Sequence, residues 1–254
     1  MTMTEVDGGT WNWRGPGIRE AFVDAAASVV GLLGEPAVAG AWEKPSALRK
    51  FSIGGLAGHT AWQVLFIPEL LASPSADGET VSLREYLLNR VAWIGADVDS
   101  EFSIGIRRSG DTVAALGPAE LAARAGAVVD LLRAELPEAP PRPVRLPSWD
   151  GWALGLDDFL LTRLLELVVH TDDLAFSVGI PTPELPDHVT DSPRTVPRRL
   201  DQVGGGVREN SRDSESESRP LTCCGRYGIS THRDSRHVGL HQRAWSWRPT
   251  NCCR

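Results

Sequence analysis

The chain has 254 residues, 42% of them hydrophobic, and a formal net charge of −7, which allows one large domain or two small ones. The acidic balance argues against a general nucleic-acid binder. No apolar run of about 18 residues is present, so no membrane-spanning helix is expected.

The opening MTMTEVDGGT is too acidic and polar for a secretory signal. All four cysteines sit late, at Cys223, Cys224, Cys252 and Cys253. The body therefore has no disulfide and no sulfur nucleophile of its own, which suits a cytoplasmic protein.

Residues 1–16, with Trp11, Trp13, Gly15 and Pro16, read as an irregular lead-in. From Gly17 to Leu33, Ile18, Phe22, Ala25, Val29 and Leu32 recur at helical spacing. Gly34, Glu35 and Pro36 end that helix. Ser52 is placed to cap a second helix over residues 53–72. Gly54, Gly55 and Gly58 are poor helix formers, and three of them near one histidine imply close approach of another backbone or of a ligand. Gly55, His59, Trp62 or Gln63, and Phe66 share a face of this helix. Pro68 should kink or end its first part.

Residues 73–80 read as a loop. A third helix is expected from about Ser82 to Arg108, with Leu83, Tyr86, Leu87, Val91 and Ile94 as its apolar side; the piece from Gly95 to Gly110 carries a weaker pattern. Pro118 opens another helix at its favoured first-turn position, running to about Leu136 on Leu121, Ala125, Val128, Val129 and Leu132. PEAPPRPVRLP cannot be helical and reads as an extended crossover. It leads past Trp149 and Trp152 into the last helix, Leu160 to Gly179. Helix signals dominate and alternating strand patterns are almost absent. Short gaps and one long crossover predict an all-α, four- or five-helix bundle.

The last helix is apolar on nearly every side, as a buried helix is. One stripe departs from this: Thr162, Arg163, Glu166, His170, Asp173 and Ser177 recur at steps of three and four. Burying a carboxylate and an imidazole without partners is costly, and a metal ion is the sharpest candidate to meet Glu166 and His170. The other helical histidine of the body is His59; His188 lies in a Pro-rich segment without helical geometry. Ligands of type His, Glu and His with an open position suit a catalytic zinc site, and the same donors also take nickel or iron. Asp173 is placed to orient a ligand histidine, whereas Asp172 reads as solvated. The competing reading is metal-free: Arg163 and Glu166 as a buried ion pair at i, i+3, with His170 hydrogen-bonded beside them.

Past about Ser192 the apolar period stops. Residues 191–254 hold twelve arginines against seven Asp plus Glu, a formal +5 that leaves −12 for the rest. Such a segment lacks the apolar content to offset its ordering entropy. Its Arg, Ser, Gly, Trp and paired Cys read like a GC-rich gene translated out of frame, so residues 189–254 are taken as a low-order basic tail, either frameshifted or genuinely disordered. VGGGV at 203–207 has no strand before it and is no phosphate loop. The adjacent cysteine pairs have the wrong spacing for a zinc finger.

Trp42, Pro45 and Ser46 followed by FSIGGLAGHTAWQV, and later VRLP with TRLLELVVHTDDLAFSVGIPTPELP, resemble the metal-binding N-terminal domain of mycothiol-dependent maleylpyruvate isomerases, within the wider DinB-like helical-bundle group. The likeness covers roughly residues 17–188. It implies a four-helix bundle holding zinc on His59, Glu166 and His170. It also implies mycothiol as the thiol, activated at the metal as a thiolate. That thiolate would add to a cis-enoyl acid, with rotation and elimination giving the trans product. Arg163 or Arg49 would face a small organic-acid substrate, with Gln63 and Asp173 as further supporting residues. The isomerases proper carry a second, C-terminal domain, which the tail here does not resemble. Three readings follow: a thiol-using isomerase or transferase, a non-catalytic metal- or ligand-binding bundle, and an inactive frameshifted remnant.

Overall fold

The computed structural model describes residues 4–6, 10–12, 17–90, 97–186 and 189. The expected tail lies outside the described residues except for Val189, and so do His188, Val91 and Ile94.

Helix α1, Ile18–Leu33, buries Ile18, Phe22, Ala25, Val29 and Leu32, the stripe that the spacing dictates. A short α2, Pro36–Gly40, follows directly. Helix α3, Ile53–Leu65, starts at Ser52, whose hydroxyl accepts from Gly55 N at 2.8 Å. It stops before Pro68, and a separate α4, Ile67–Ala72, carries that proline in its first turn. Helix α7, Pro118–Glu135, begins on Pro118 after Gly117 at φ 78°. Helix α8, Leu156–Val178, ends on Gly179 in the left-handed conformation at φ 72°. There Ile180 N donates to Ala175 O at 3.1 Å, closing the last turn as a helix-ending glycine allows.

Helices α1, α3, α7 and α8 form the four-helix core: α1 lies against α7 and α8, and α3 lies against α7 and α8 as well. Phe22, Leu32, Leu56, Leu121, Leu132, Phe159 and Leu164 are fully buried between them. Each large apolar side chain so buried contributes roughly 1.5–3 kcal/mol. Arg19 locks one end: its Nε meets Asp157 Oδ1 at 2.8 Å and its Nη1 donates to Leu136 O at 3.1 Å. That ties α1 to α8 and satisfies an orphan carbonyl at the end of α7.

The third expected helix is corrected. The segment from Ser82 breaks into α5, Leu83–Glu85, a π-helical turn Tyr86–Arg90, and a separate α6, Glu101–Ala114. The reason is a second cap. Ser100 Oγ accepts from Ser103 N at 3.2 Å, which starts a new helix just as Ser82 started the first. Helix α6 packs closely against α3.

The near-absence of strands is corrected as well. β1, Thr4–Val6, pairs antiparallel with β2, Thr10–Asn12, so the lead-in contains a pair of short strands. β3, Glu79–Thr80, and β4, Pro143–Val144, flank β5, Trp152–Gly155, in a three-stranded sheet. Strands of two to four residues are too short to show alternation. β3 ends the segment expected as a loop over 73–80, whereas β4 and β5 lie in the long crossover, and β5 feeds straight into α8, which starts four residues before the expected Leu160. Among the described residues no single helix is long and apolar enough to cross a membrane.

Candidate metal centre

The centre is set by how closely α3 can approach its neighbours. A Cβ at Gly54 would fall 2.7 Å from the Trp42 ring. One at Gly58 would collide with the Gly110 carbonyl oxygen of α6, and one at Gly110 would fall 2.5 Å from Gly55 O. Gly58 thus serves backbone contact between α3 and α6, whereas Gly54 makes room for the Trp42 ring and Gly55 for the Asp111 carboxylate. His59 is held on the other side by the Phe51 ring, at 5.9 Å between centroids.

Helix α8 brings Glu166 and His170 to the same place from one face, four residues apart. Glu166 Oε2 lies 3.1 Å from His170 Nε2 and 3.6 Å from His59 Nε2. The two imidazoles meet edge to face at 4.9 Å. One donor atom from each of His59, Glu166 and His170 falls within 4.8 Å of the others. Two nitrogens and one carboxylate oxygen converging in this way fit a divalent metal with a position left open.

Asp173 completes the arrangement from behind: its Oδ2 lies 3.1 Å from His170 Nδ1. A carboxylate on Nδ1 fixes the ring so that Nε2 points at the centre. Ser177, the last polar residue of the stripe, donates to Asp173 O at 2.6 Å and accepts from Ala47 N at 2.8 Å. It fastens the loop before α3 to α8. Asp172 is not simply solvated, since it accepts from Thr182 Oγ1 at 2.7 Å.

The charges follow from these contacts. Burial disfavours ionised Glu166, but hydrogen bonds from His170 and His59 outweigh it and hold the carboxyl well below its usual range. Burial also disfavours protonated His170, yet Asp173 and Glu166 together raise it to about 9. His59 is lowered, mainly by burial, with its hydrogen bond to Glu166 opposing.

The metal-free ion pair between Arg163 and Glu166 is not formed. Arg163 Nη1 donates to Gln63 Oε1 at 2.7 Å and its Nε to Thr162 Oγ1 at 3.1 Å. Glu166 turns up the helix toward the histidines while Arg163 turns across to α3. Gln63 is fully buried, so of the pair left open in the sequence it is Gln63, rather than Trp62, that faces α8. Trp62 stacks on Phe66 at 4.2 Å. Among the described residues Arg49 forms no ion pair with Glu166, and its charge bears on Asp99 instead.

Comparison with curated proteins and with solved structures finds no match. The mycothiol maleylpyruvate isomerase N-terminal domain family, in contrast, matches residues 22–175, a span that runs from α1 to near the end of α8 and includes every residue of the centre. With more than half of its length covered, the chain belongs to the mycothiol maleylpyruvate isomerase N-terminal domain family.

Proposed function

We propose that this chain is a metal-dependent enzyme that activates a small thiol, mycothiol by family, for isomerisation or S-transfer on a small organic acid. The observation that carries the reading is the convergence of His59, Glu166 and His170 within 4.8 Å. It occurs in a chain whose residues 1–222 contain no cysteine, so the bundle that holds the centre offers no sulfur nucleophile of its own.

Zinc, when bound, supplies the charge that lowers the pKa of a thiol at its open position. His59 and His170 would hold it through Nε2 and Glu166 through a carboxylate oxygen. Asp173 keeps the proton of His170 on Nδ1, leaving the Nε2 lone pair for the metal. Phe51 beside His59 limits water on that side. A cytoplasmic setting, where small thiols are kept reduced, fits this chemistry.

Calorimetry of mycothiol binding, with and without chelator, tests the reading. Binding that disappears with the metal supports it. Metal retention without thiol binding would instead favour a non-catalytic metal-binding bundle.

A further inference from the structure

The residue that the centre leaves unexplained is Arg163. It is 6% exposed, and among the described residues no carboxylate lies within ion-pair distance of it. A buried guanidinium facing only neutral acceptors is an expensive arrangement for a structural role, because burial of charge is recovered mainly by pairing. A methionine or leucine would fill the same space between α3 and α8 without that cost.

Its setting is nevertheless built. Gln63 receives Arg163 Nη1 on Oε1 and donates its own Nε2 to His59 O at 3.2 Å. Arginine only donates, so Oε1 must face it, and the amide can take no other orientation. Thr162 accepts from Nε at 3.1 Å and donates to Phe159 O at 2.7 Å. The Phe159 ring lies 5.3 Å from the guanidinium carbon. Two of the five guanidinium N–H groups are thereby engaged, and the plane is fixed before any ligand arrives.

The placement relative to the centre is equally specific. Arg163 sits one turn before Glu166 on α8, and Gln63 one turn after His59 on α3. Three or four residues of helix rise by about 4.5–6 Å, so the backbone positions of Arg163 and Gln63 are displaced along the bundle from those of the metal ligands by roughly that much. Charge reaches across this gap: Arg163 bears on both Glu166 and His59 electrostatically.

We infer that Arg163, positioned by Gln63, is the anchor for a carboxylate on a ligand whose other end occupies the metal, selecting small molecules in which the two groups stand two or three bonds apart. This rests on the metal reading above. The paired N–H groups of arginine match a carboxylate in a way that lysine cannot.

The test compares mercaptoacetate with its neutral isostere mercaptoacetamide, titrated into zinc-loaded protein and into Arg163→Met, with zinc content and melting temperature measured for both. The wild type is expected to bind mercaptoacetate at least about tenfold more tightly than the amide. Arg163→Met should lose that preference while retaining its zinc and its affinity for the amide. Gln63→Leu, which leaves the guanidinium unfixed, should reduce the preference in part. Equal binding of the two thiols by the wild type, or a preference that survives Arg163→Met, overturns the inference. Should the wild type hold no zinc, the metal reading fails by itself, and the anchor is read on the metal-free chain. Acetate raising the melting temperature of the wild type but not of Arg163→Met then supports it, and no such difference overturns it.

Discussion

Gly58 of α3 and Gly110 of α6 meet with no side chain between them, and His59 takes its position from that contact. A Cβ on Gly58 would strike the Gly110 carbonyl oxygen and stand 2.8 Å from Ala114 N. Both obstacles are backbone, which cannot swing aside as a side chain can.

Gly58→Ala should therefore destabilise the protein by about 2–4 kcal/mol, and the shift of α3 should carry His59 away from Glu166. Gly31 provides the contrast, since it is a helical glycine of α1 with nothing within 4 Å of its would-be Cβ. Gly31→Ala should raise stability by about 0.5–1 kcal/mol. Thermal and urea unfolding of the two variants beside the wild type check both signs.

His170 makes metal loading visible as a proton. Its folded value of about 9 lies above the ordinary 6.5, so the protonated form stabilises the metal-free fold. That contribution is complete below about pH 6.5 and is lost as the pH rises through about 9. At pH 7 zinc must displace this proton, while His59 is already neutral and Glu166 already ionised. Calorimetry in buffers of different ionisation enthalpy should record about one proton released per zinc. Asp173→Asn should lower that number and weaken zinc binding about tenfold to a hundredfold.

Asp158, in the first turn of α8, is held by burial, with neighbouring Asp157 adding to it, at about 6. A carboxyl raised in the folded state favours folding when protonated, so its contribution is present at low pH and lost as the pH rises through about 6. Above that, the charge is a burden, eased by the backbone N–H of Leu83. Asp158→Asn keeps an acceptor for that N–H. It should be more stable than the wild type at pH 7.5, by on the order of 1 kcal/mol, and no more stable near pH 4. Melting curves across that range decide it.

Much of this architecture could be read from single residues. Ser52 capped α3, Pro68 separated α4, Pro118 opened α7 and Gly179 closed α8, each through a local backbone requirement that tertiary packing did not override. The break between α5 and α6 escaped because Leu83, Tyr86 and Leu87 carry a helical period that hides the second cap at Ser100, although Asp97, Asp99 and Ser100 together form a start signal. The strands escaped because so few residues cannot alternate.

At the centre, the spacing of Glu166 and His170 fixes their shared face within one helix. The meeting with His59 depends on contacts between helices that no local pattern encodes; the sequence offered His59 only as the other helical histidine of the body, and the family likeness pointed to the same residue. The competing, metal-free reading paired Arg163 with the wrong partner for the same reason. A spacing of three residues favours Glu166, whereas the long-range choice of Gln63 needs the packed bundle.

The proposed chemistry requires that His59, Glu166 and His170 hold one metal ion. Zinc content of purified protein, measured beside His59→Ala and Glu166→Ala with helicity checked in all three, tests it most directly. About one zinc per chain is expected in the wild type, and little or none in either variant at unchanged helicity. A wild type that binds no divalent metal, or variants that keep it in full, would mean that these three residues hold no ion.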